Sequence, residues 1–347
     1  MKTKNSKIII FDPEMIFWGV AAGFHGYAIT FIDQYADYIY LNKDFKDVLR
    51  YRRQLWRLGI KRYIPFTRRL DNTEKEDKLI GFVVPANDDD KINDFKGKKY
   101  FHLMDYYLFV SRNKEFLKKY NVDYVIGHTS MDKYCEFFKY YYPDYIGRVI
   151  SLPFGYQKRF NCTRGFVDRK NIAIGLGSIN PVDDPKLDEK AKSEFVQYYK
   201  NETFMHPLRR YIQTHKLAFL DVVDSKFPSP DKQKDFSYDA VEVLNDYRMF
   251  INDAGLSNFP PARTYEGIAC GCVMVAENNE IYNELGFIPD VNYVSFEKGN
   301  YEEMRCKIKY YIDNPDKLLA IQKESLRLAK LYSHYEMAKK LMKEISD

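Results

Sequence analysis

Short apolar runs alternate with amphipathic stretches along the whole chain. In the first half, residues 7–11, 37–41, 79–84, 106–110, 123–127 and 148–152 read as strands. Between them, residues 45–58, 113–120 and 130–142 read as helices, and Gly19, Gly23 and Gly26 punctuate the loop and helix start after the first strand. The second half restarts at 171–177. Further strands are expected at 216–223, 248–251, 272–276 and 292–296, and a long helical stretch at 316–345. Strand–helix alternation of this kind predicts parallel, doubly wound sheets. The series breaks at residues 152–160, where Pro153 and Gly155 interrupt it. We therefore expect an amino-terminal domain over 1–160, a carboxyl-terminal domain over 161–325, and a final helix over 326–347 returning toward the first domain. No repeat of fixed period is visible.

The stretch from Tyr247 to Phe296 carries the most chemistry. An apolar strand leads into a loop with Gly255, Pro260 and Pro261. A helix opens near Ala262, carries Glu266 and stops at Gly271, and a strand follows at once. Such a βαβ unit sets its helix start above the carboxyl edge of the sheet, where ligands bind. First-turn amides and the positive dipole end suit a phosphate. Arg263 adds a forked cation, and Glu266, one turn on, is within reach of ribose hydroxyls.

Arg263-Thr264-Tyr265-Glu266-Gly267-Ile268-Ala269-Cys270-Gly271 resembles the "R-x-(F/Y)-E-(A/G)-x-A-C-G" block of GT-B glycosyltransferases of the CgeB-like, group 1 branch. His206-Pro207-Leu208-Arg209-Arg210 and Asn314-Pro315 stand where that branch has "(Y/H)-P-L-R-R" and "NP". The resemblance covers residues 170–340; the first half matches in outline. It implies two Rossmann-like domains facing across a cleft. The carboxyl-terminal domain would hold a UDP- or GDP-sugar and the amino-terminal domain an acceptor hydroxyl. The implied product is a surface glycan or glycoconjugate, made without a metal or other cofactor.

The resemblance also implies the donor-binding residues. Glu266 would hold the ribose, Arg263 the diphosphate, and Arg209 or Arg210 the leaving charge. Gly177 and Ser178, after the first strand of the second domain, would let backbone approach a phosphate. Asn278 and Asn279 would meet sugar hydroxyls, although short polar residues before a helix equally suit an N-cap. Many retaining members carry a further Glu eight residues before Glu266. Asn258 stands there, so a retaining outcome does not carry over. A catalytic base for inversion would come from the first domain: His25, with Asp12 and His128 as competitors.

Composition narrows the setting. Five cysteines, odd in number and without a CxxC pair, argue against a disulfide framework or zinc site. Asp88-Asp89-Asp90 and Asp183-Asp184 lack supporting histidines and read as solvated loops. No apolar run reaches the length of a membrane span, and the start shows no leader region, so a cytoplasmic setting is expected. The formal charge of +5 is uneven: residues 46–70 hold nine Lys or Arg against one Asp. On a helix, Lys46, Arg50, Arg53 and Arg57 would share one face, with Leu49, Leu55 and Trp56 near the inward one. Three readings stand open for this segment: an ordinary solvated face, peripheral contact with anionic lipid at the inner membrane face, or a polyanion such as nucleic acid. No nucleic-acid-binding module signature is present.

Three function classes follow. A glycosyltransferase acting on a glycan, lipid-linked or other hydroxyl acceptor is favoured, with viral DNA modification as a lesser variant. A nucleotide-sugar epimerase on the same fold and a catalytically silent nucleotide-sugar-binding protein are the alternatives.

Overall fold

The computed structural model describes residues 6–14, 26–83, 88–217, 219–223 and 239–346. The chain divides into two units. One comprises Met1–Pro153, Leu187–Tyr198 and His334–Asp347; the other comprises Phe154–Lys186 and Tyr199–Ser333.

The first unit is built on seven parallel strands: β1 (Ile8–Phe11), β2 (Tyr38–Tyr40), β3 (Phe66–Thr67), β4 (Lys78–Gly81), β5 (Lys98–His102), β6 (Tyr124–Gly127) and β7 (Val149–Ser151). Their spatial order is β3-β2-β1-β4-β5-β6-β7. β1 is central and buried along its whole length, so it reads as Ile-Ile-Ile-Phe rather than as an alternating strand. The Gly26–Tyr35 helix packs against the His334–Glu344 helix, with the His334 ring lying against Gly26. The Glu189–Tyr198 helix joins this unit through Phe195, whose ring meets Tyr107 and Phe137.

The expected strand at 106–110 is a turn; the strand lies earlier, at β5. Its sequence, Lys-Lys-Tyr-Phe-His, hides the pattern because Lys99 is buried, its ammonium donating to the Tyr120 carbonyl at 2.8 Å. Tyr106 still goes inward, with its hydroxyl on Cys135 Sγ. The stretch expected as one helix at 316–345 is two, Pro315–Ala329 and His334–Glu344, joined by a 3₁₀ turn at Lys330–Tyr332.

The second unit has five parallel strands: β8 (Lys170–Leu176), β9 (Leu220–Val223), β10 (Tyr247–Ile251), β11 (Val273–Glu277) and β12 (Val294–Phe296), in the order β12-β11-β10-β8-β9. Its core joins Ala173, Met249 and Val275 of the sheet to Leu208, Ile308 and Ile321 of the covering helices. The chain runs from β8 outward to β9, then returns to β10 on the other side of β8. The order therefore reverses between β8 and β10. A crevice opens at such a reversal, because the two following connections leave on opposite faces of the sheet. Both units are doubly wound and parallel, as the alternation of elements predicts.

Candidate functional site: a basic crevice at the β8–β10 switch point

Three segments meet above the carboxyl ends of β8 and β10. The first is the turn after β8. Gly177 has a φ of +121°, a conformation open to glycine and strained for L side chains. The second is the Pro207–Thr214 helix, opened by Pro at its first position. The third is the Ala262–Ala269 helix, which follows Pro260 and Pro261. Its Gly267 lies directly on the Phe250 ring, so this helix approaches β10 closely.

Arg209 and Arg263 reach the Gly177 turn from these two helices. Their Nη1 atoms lie 3.0 and 2.8 Å from the position a Cβ on Gly177 would occupy. Arg263 Nη1 donates to the Leu176 carbonyl at 2.7 Å. Arg209 is buried; its guanidinium donates to the Ser178 and Asp253 carbonyls, each at 3.4 Å. Two guanidiniums drawn together over backbone carbonyls repel each other. The arrangement therefore favours an anion that takes both.

Asp253 holds this geometry from below. Its carboxylate accepts the backbone N–H of Arg209 at 3.2 Å and that of Gly255 at 2.7 Å. Burial opposes its ionisation. The nearby His206, Arg209 and the Gly255 amide outweigh that and hold its pKa below the usual carboxylate value. Asp253 thus caps the Pro207–Thr214 helix from another segment, because His206 makes no side-chain cap. His206 Nδ1 stands 3.9 Å from Asp253, too far for a hydrogen bond. Burial first, then the Arg209 charge, push the His206 pKa down to about 4, so its ring is neutral at neutral pH.

The start of the Ala262–Ala269 helix is different. Pro261 provides no side-chain cap. Thr264 donates its N–H to the Pro261 carbonyl at 2.9 Å, while the Ala262 and Arg263 amides have no acceptor among the described residues. This helix start is the open one of the two.

Glu266 follows Arg263 by three residues, on the same side of the helix. Its carboxyl is half-buried and makes no hydrogen bond or ion pair among the described residues. Burial raises its pKa to about 7, against the pull of Arg263 and Arg159. A carboxylate so placed gains from any hydroxyl that donates to it.

The other expected donor-binding residues divide. Ser178 contributes its carbonyl to Arg209 and is partly exposed. Arg210 is exposed and directed elsewhere, its guanidinium 4.9 Å from the Phe204 ring centroid. Asn278 is exposed, with its N–H donated to the Phe296 carbonyl at 2.6 Å. Asn279 caps the Glu280–Glu284 helix, its Oδ1 accepting from Ile281 N–H at 3.1 Å. Its side-chain amide donates to Asn258, which sits in the left-handed region at φ +52°. Asn258 therefore pins the Asn279 loop. Sequence reasoning missed Asp253, although a carboxylate just past a parallel strand end was its signal.

In the first unit, Asp12 ends β1; its carboxylate accepts from the Tyr51 hydroxyl at 3.1 Å and the Glu14 N–H at 3.2 Å. His128 is buried, with Nδ1 3.3 Å from the Leu152 carbonyl and its ring edge-on to His102 at 4.4 Å. His25 lies outside the described residues. Asp88 and Asp89 accept from the Tyr120 and Tyr40 hydroxyls, and Lys119 bridges Asp88 and Asp90. Among the described residues, no three His, Cys, Asp or Glu are grouped to hold a metal ion.

Residues 228–343 match the model of a family described as "Glycosyl transferase-like". The structure is similar to Anabaena Alr3699/HepE, solved with UDP, at a TM-score of 0.54 and 12% identity, covering 98% of this chain and 99% of that one. A Rickettsia africae glycosyltransferase is similar at a TM-score of 0.54 and 11% identity, covering 99% and 98%. The fold is GT-B. The sequence match spans about a third of the chain and includes the open helix start, Arg263 and Glu266. No curated protein sequence matches the chain. Within this GT-B fold, the β8–β10 crevice lies in the carboxyl-terminal unit, on the strand edge that the sequence pattern indicated.

Proposed function

We propose that this glycosyltransferase binds a UDP-linked sugar in the β8–β10 crevice and transfers the sugar to an acceptor hydroxyl. The observation that carries the reading is the convergence of Arg209 and Arg263 over Gly177, beside the uncapped amides of Ala262 and Arg263. A diphosphate accepts from both guanidiniums and from the helix start at once. It thereby offsets the repulsion between the two guanidiniums. Glu266 accepts the ribose hydroxyls. As the bond to the anomeric carbon breaks, charge grows on the departing diphosphate, and the same donors meet it without reorganisation. Two cations and a helix dipole supply the charge neutralisation that a divalent ion would otherwise give, so a chelator is expected to leave turnover unchanged. UDP is favoured over GDP because the similar HepE structure holds UDP. Membership of the CgeB-like branch rests on the Arg263–Gly271 block.

Acceptor recognition belongs to the amino-terminal unit in this reading, with a glycan or glycoconjugate as the acceptor class. Asp12 and His25 are its candidate bases. Asp12→Asn and His25→Gln are each expected to lower turnover while leaving donor affinity intact.

The test is a thermal-shift screen of UDP-, GDP-, CDP- and dTDP-sugars, followed by assay of UDP release with and without hydroxyl acceptors. UDP-sugars are expected to raise the melting midpoint by mass action, and the Arg209→Ala/Arg263→Ala double variant to abolish the rise. A shift that persists in the double variant refutes the site. Conversion of the donor to an isomer with no acceptor present would replace transfer by epimerisation.

A further inference from the structure

The basic segment 46–70 takes no part in the donor site, and its structure departs from the sequence expectation. In the Phe45–Arg57 helix, Tyr51 and Leu55 are buried, while Leu49 and Trp56 are 51% and 63% exposed. Leu49 and Trp56 are seven residues apart, so they stack along one line of the helix surface. Lys46, Arg50, Arg53 and Arg57 are exposed on the adjoining arc. The outward face is therefore mixed, with two large apolar side chains beside four cations. A helix that only covers its own sheet would have turned Leu49 and Trp56 inward and left charge alone outside.

Among the described residues, three of these four cations have no partner within the protein. Arg50 pairs with Asp47 at 3.3 Å. Lys46, Arg53, Arg57 and the nearby Lys61 make no ion pair or hydrogen bond among the described residues. The contrast with Arg62 is direct: its guanidinium donates to the carbonyls of Ile32, Asp33 and Ala36 and closes the end of the Gly26–Tyr35 helix. Beyond the helix, Tyr63 is 71% exposed, and the Arg52 guanidinium lies 4.4 Å from its ring centroid.

We propose that this face docks on an anionic lipid bilayer. Leu49 and Trp56 enter the boundary between headgroups and acyl chains, and Lys46, Arg53, Arg57 and Lys61 stay at the level of the lipid phosphates. A short helix with one mixed face and a strongly charged surround lies in the interface plane and does not span it. Trp and Tyr favour that plane, because each has an apolar body and a polar handle. No helix among the described residues is long and apolar enough to cross a membrane. A second copy of the chain is a poor occupant, since it would set like charges against one another. A nucleic acid would use the cations and leave Leu49 in water. A bilayer uses both kinds of side chain, and this decides for lipid.

The test is co-sedimentation with vesicles of phosphatidylcholine alone and of phosphatidylcholine with about a quarter phosphatidylglycerol, compared with a duplex DNA of mixed sequence. Wild type is expected to partition onto the anionic vesicles at least tenfold better than onto the neutral ones, falling with salt. Leu49→Ser/Trp56→Ser, which keeps every charge, and Arg53→Glu/Arg57→Glu, which keeps both apolar residues, should each lose roughly tenfold. All four positions are exposed, and unchanged melting midpoints check that the variants are folded. In a Trp18→Phe background Trp56 is the one remaining tryptophan, and its emission should shift to the blue on vesicles. The proposal is overturned by any of three results: no binding to anionic vesicles at low salt, full binding by the Leu49→Ser/Trp56→Ser protein, or tighter binding to DNA than to vesicles.

Discussion

Arg263 Nη1 lies 2.8 Å from the point where a Cβ on Gly177 would stand. The two residues belong to connections on opposite sides of the chain reversal in the second sheet. Their approach means that a side chain at the turn would displace a guanidinium, and it brings that guanidinium to the backbone that a diphosphate would follow. Gly177→Ala is expected to be damaging twice over. A residue with a Cβ at φ +121° is strained by about 1–3 kcal/mol, and its methyl group displaces Arg209 and Arg263. Melting and UDP titration of this variant should show both a lower midpoint and weakened binding. Normal affinity would mean that the turn does not shape the site.

The two neighbouring arginines of the Pro207–Thr214 helix should behave differently. Arg209 is buried in the crevice, and Arg210 is exposed over Phe204. Loss of a charged hydrogen-bonding partner costs about 1.5–3 kcal/mol. Arg209→Ala and Arg263→Ala should therefore weaken UDP by about tenfold to a hundredfold in calorimetry. Arg210→Ala should change it by less than about twofold, as is usual for an exposed charge.

Glu266 gives a pH signature. Its folded pKa, about 7, lies above the ordinary carboxyl value, so the folded protein binds this proton more tightly than the unfolded chain does. The penalty for ionising it is absent at pH 4 and grows with rising pH until it is complete above 7. Glu266→Gln should thus raise the melting midpoint at pH 8 and change it little at pH 5. The same variant should weaken UDP-sugar at pH 8 and remove the loss of affinity expected of wild type as pH falls through 7. The sugar diphosphate has no group titrating in that window. A Glu266→Gln protein with wild-type affinity at pH 8 would remove Glu266 from the ribose.

His206 has the opposite sign. Its folded pKa, about 4, lies below the ordinary 6.5, so the unfolded chain binds more protons between those values. The stability it confers is whole above pH 6.5 and is lost as pH falls toward 4. His206→Gln should flatten the acid limb of a denaturation series over that interval. An unaltered limb would show that the ring is protonated without cost in the folded state.

Much of this was legible in the chain before folding. The near-continuous apolar strands and their alternation with helices determined two parallel, doubly wound units, because a buried strand records its burial in its own side chains. The helix opening at Ala262 was readable from Pro260 and Pro261, and the cation at its first turn from Arg263. Local sequence could not choose between Arg209 and Arg210. That choice depends on which side of a helix faces the chain reversal, and Asp253, 44 residues on, settles it by capping the helix. Nor could it place Leu49 and Trp56. Hydrophobicity alone sent them inward, and only the packed sheet, already filled by Tyr51 and Leu55, left them facing out. Patterns that depend on neighbours in sequence were written in the sequence. Those that depend on which surface is already occupied were decided by the tertiary structure, because burial is shared among segments that lie far apart along the chain.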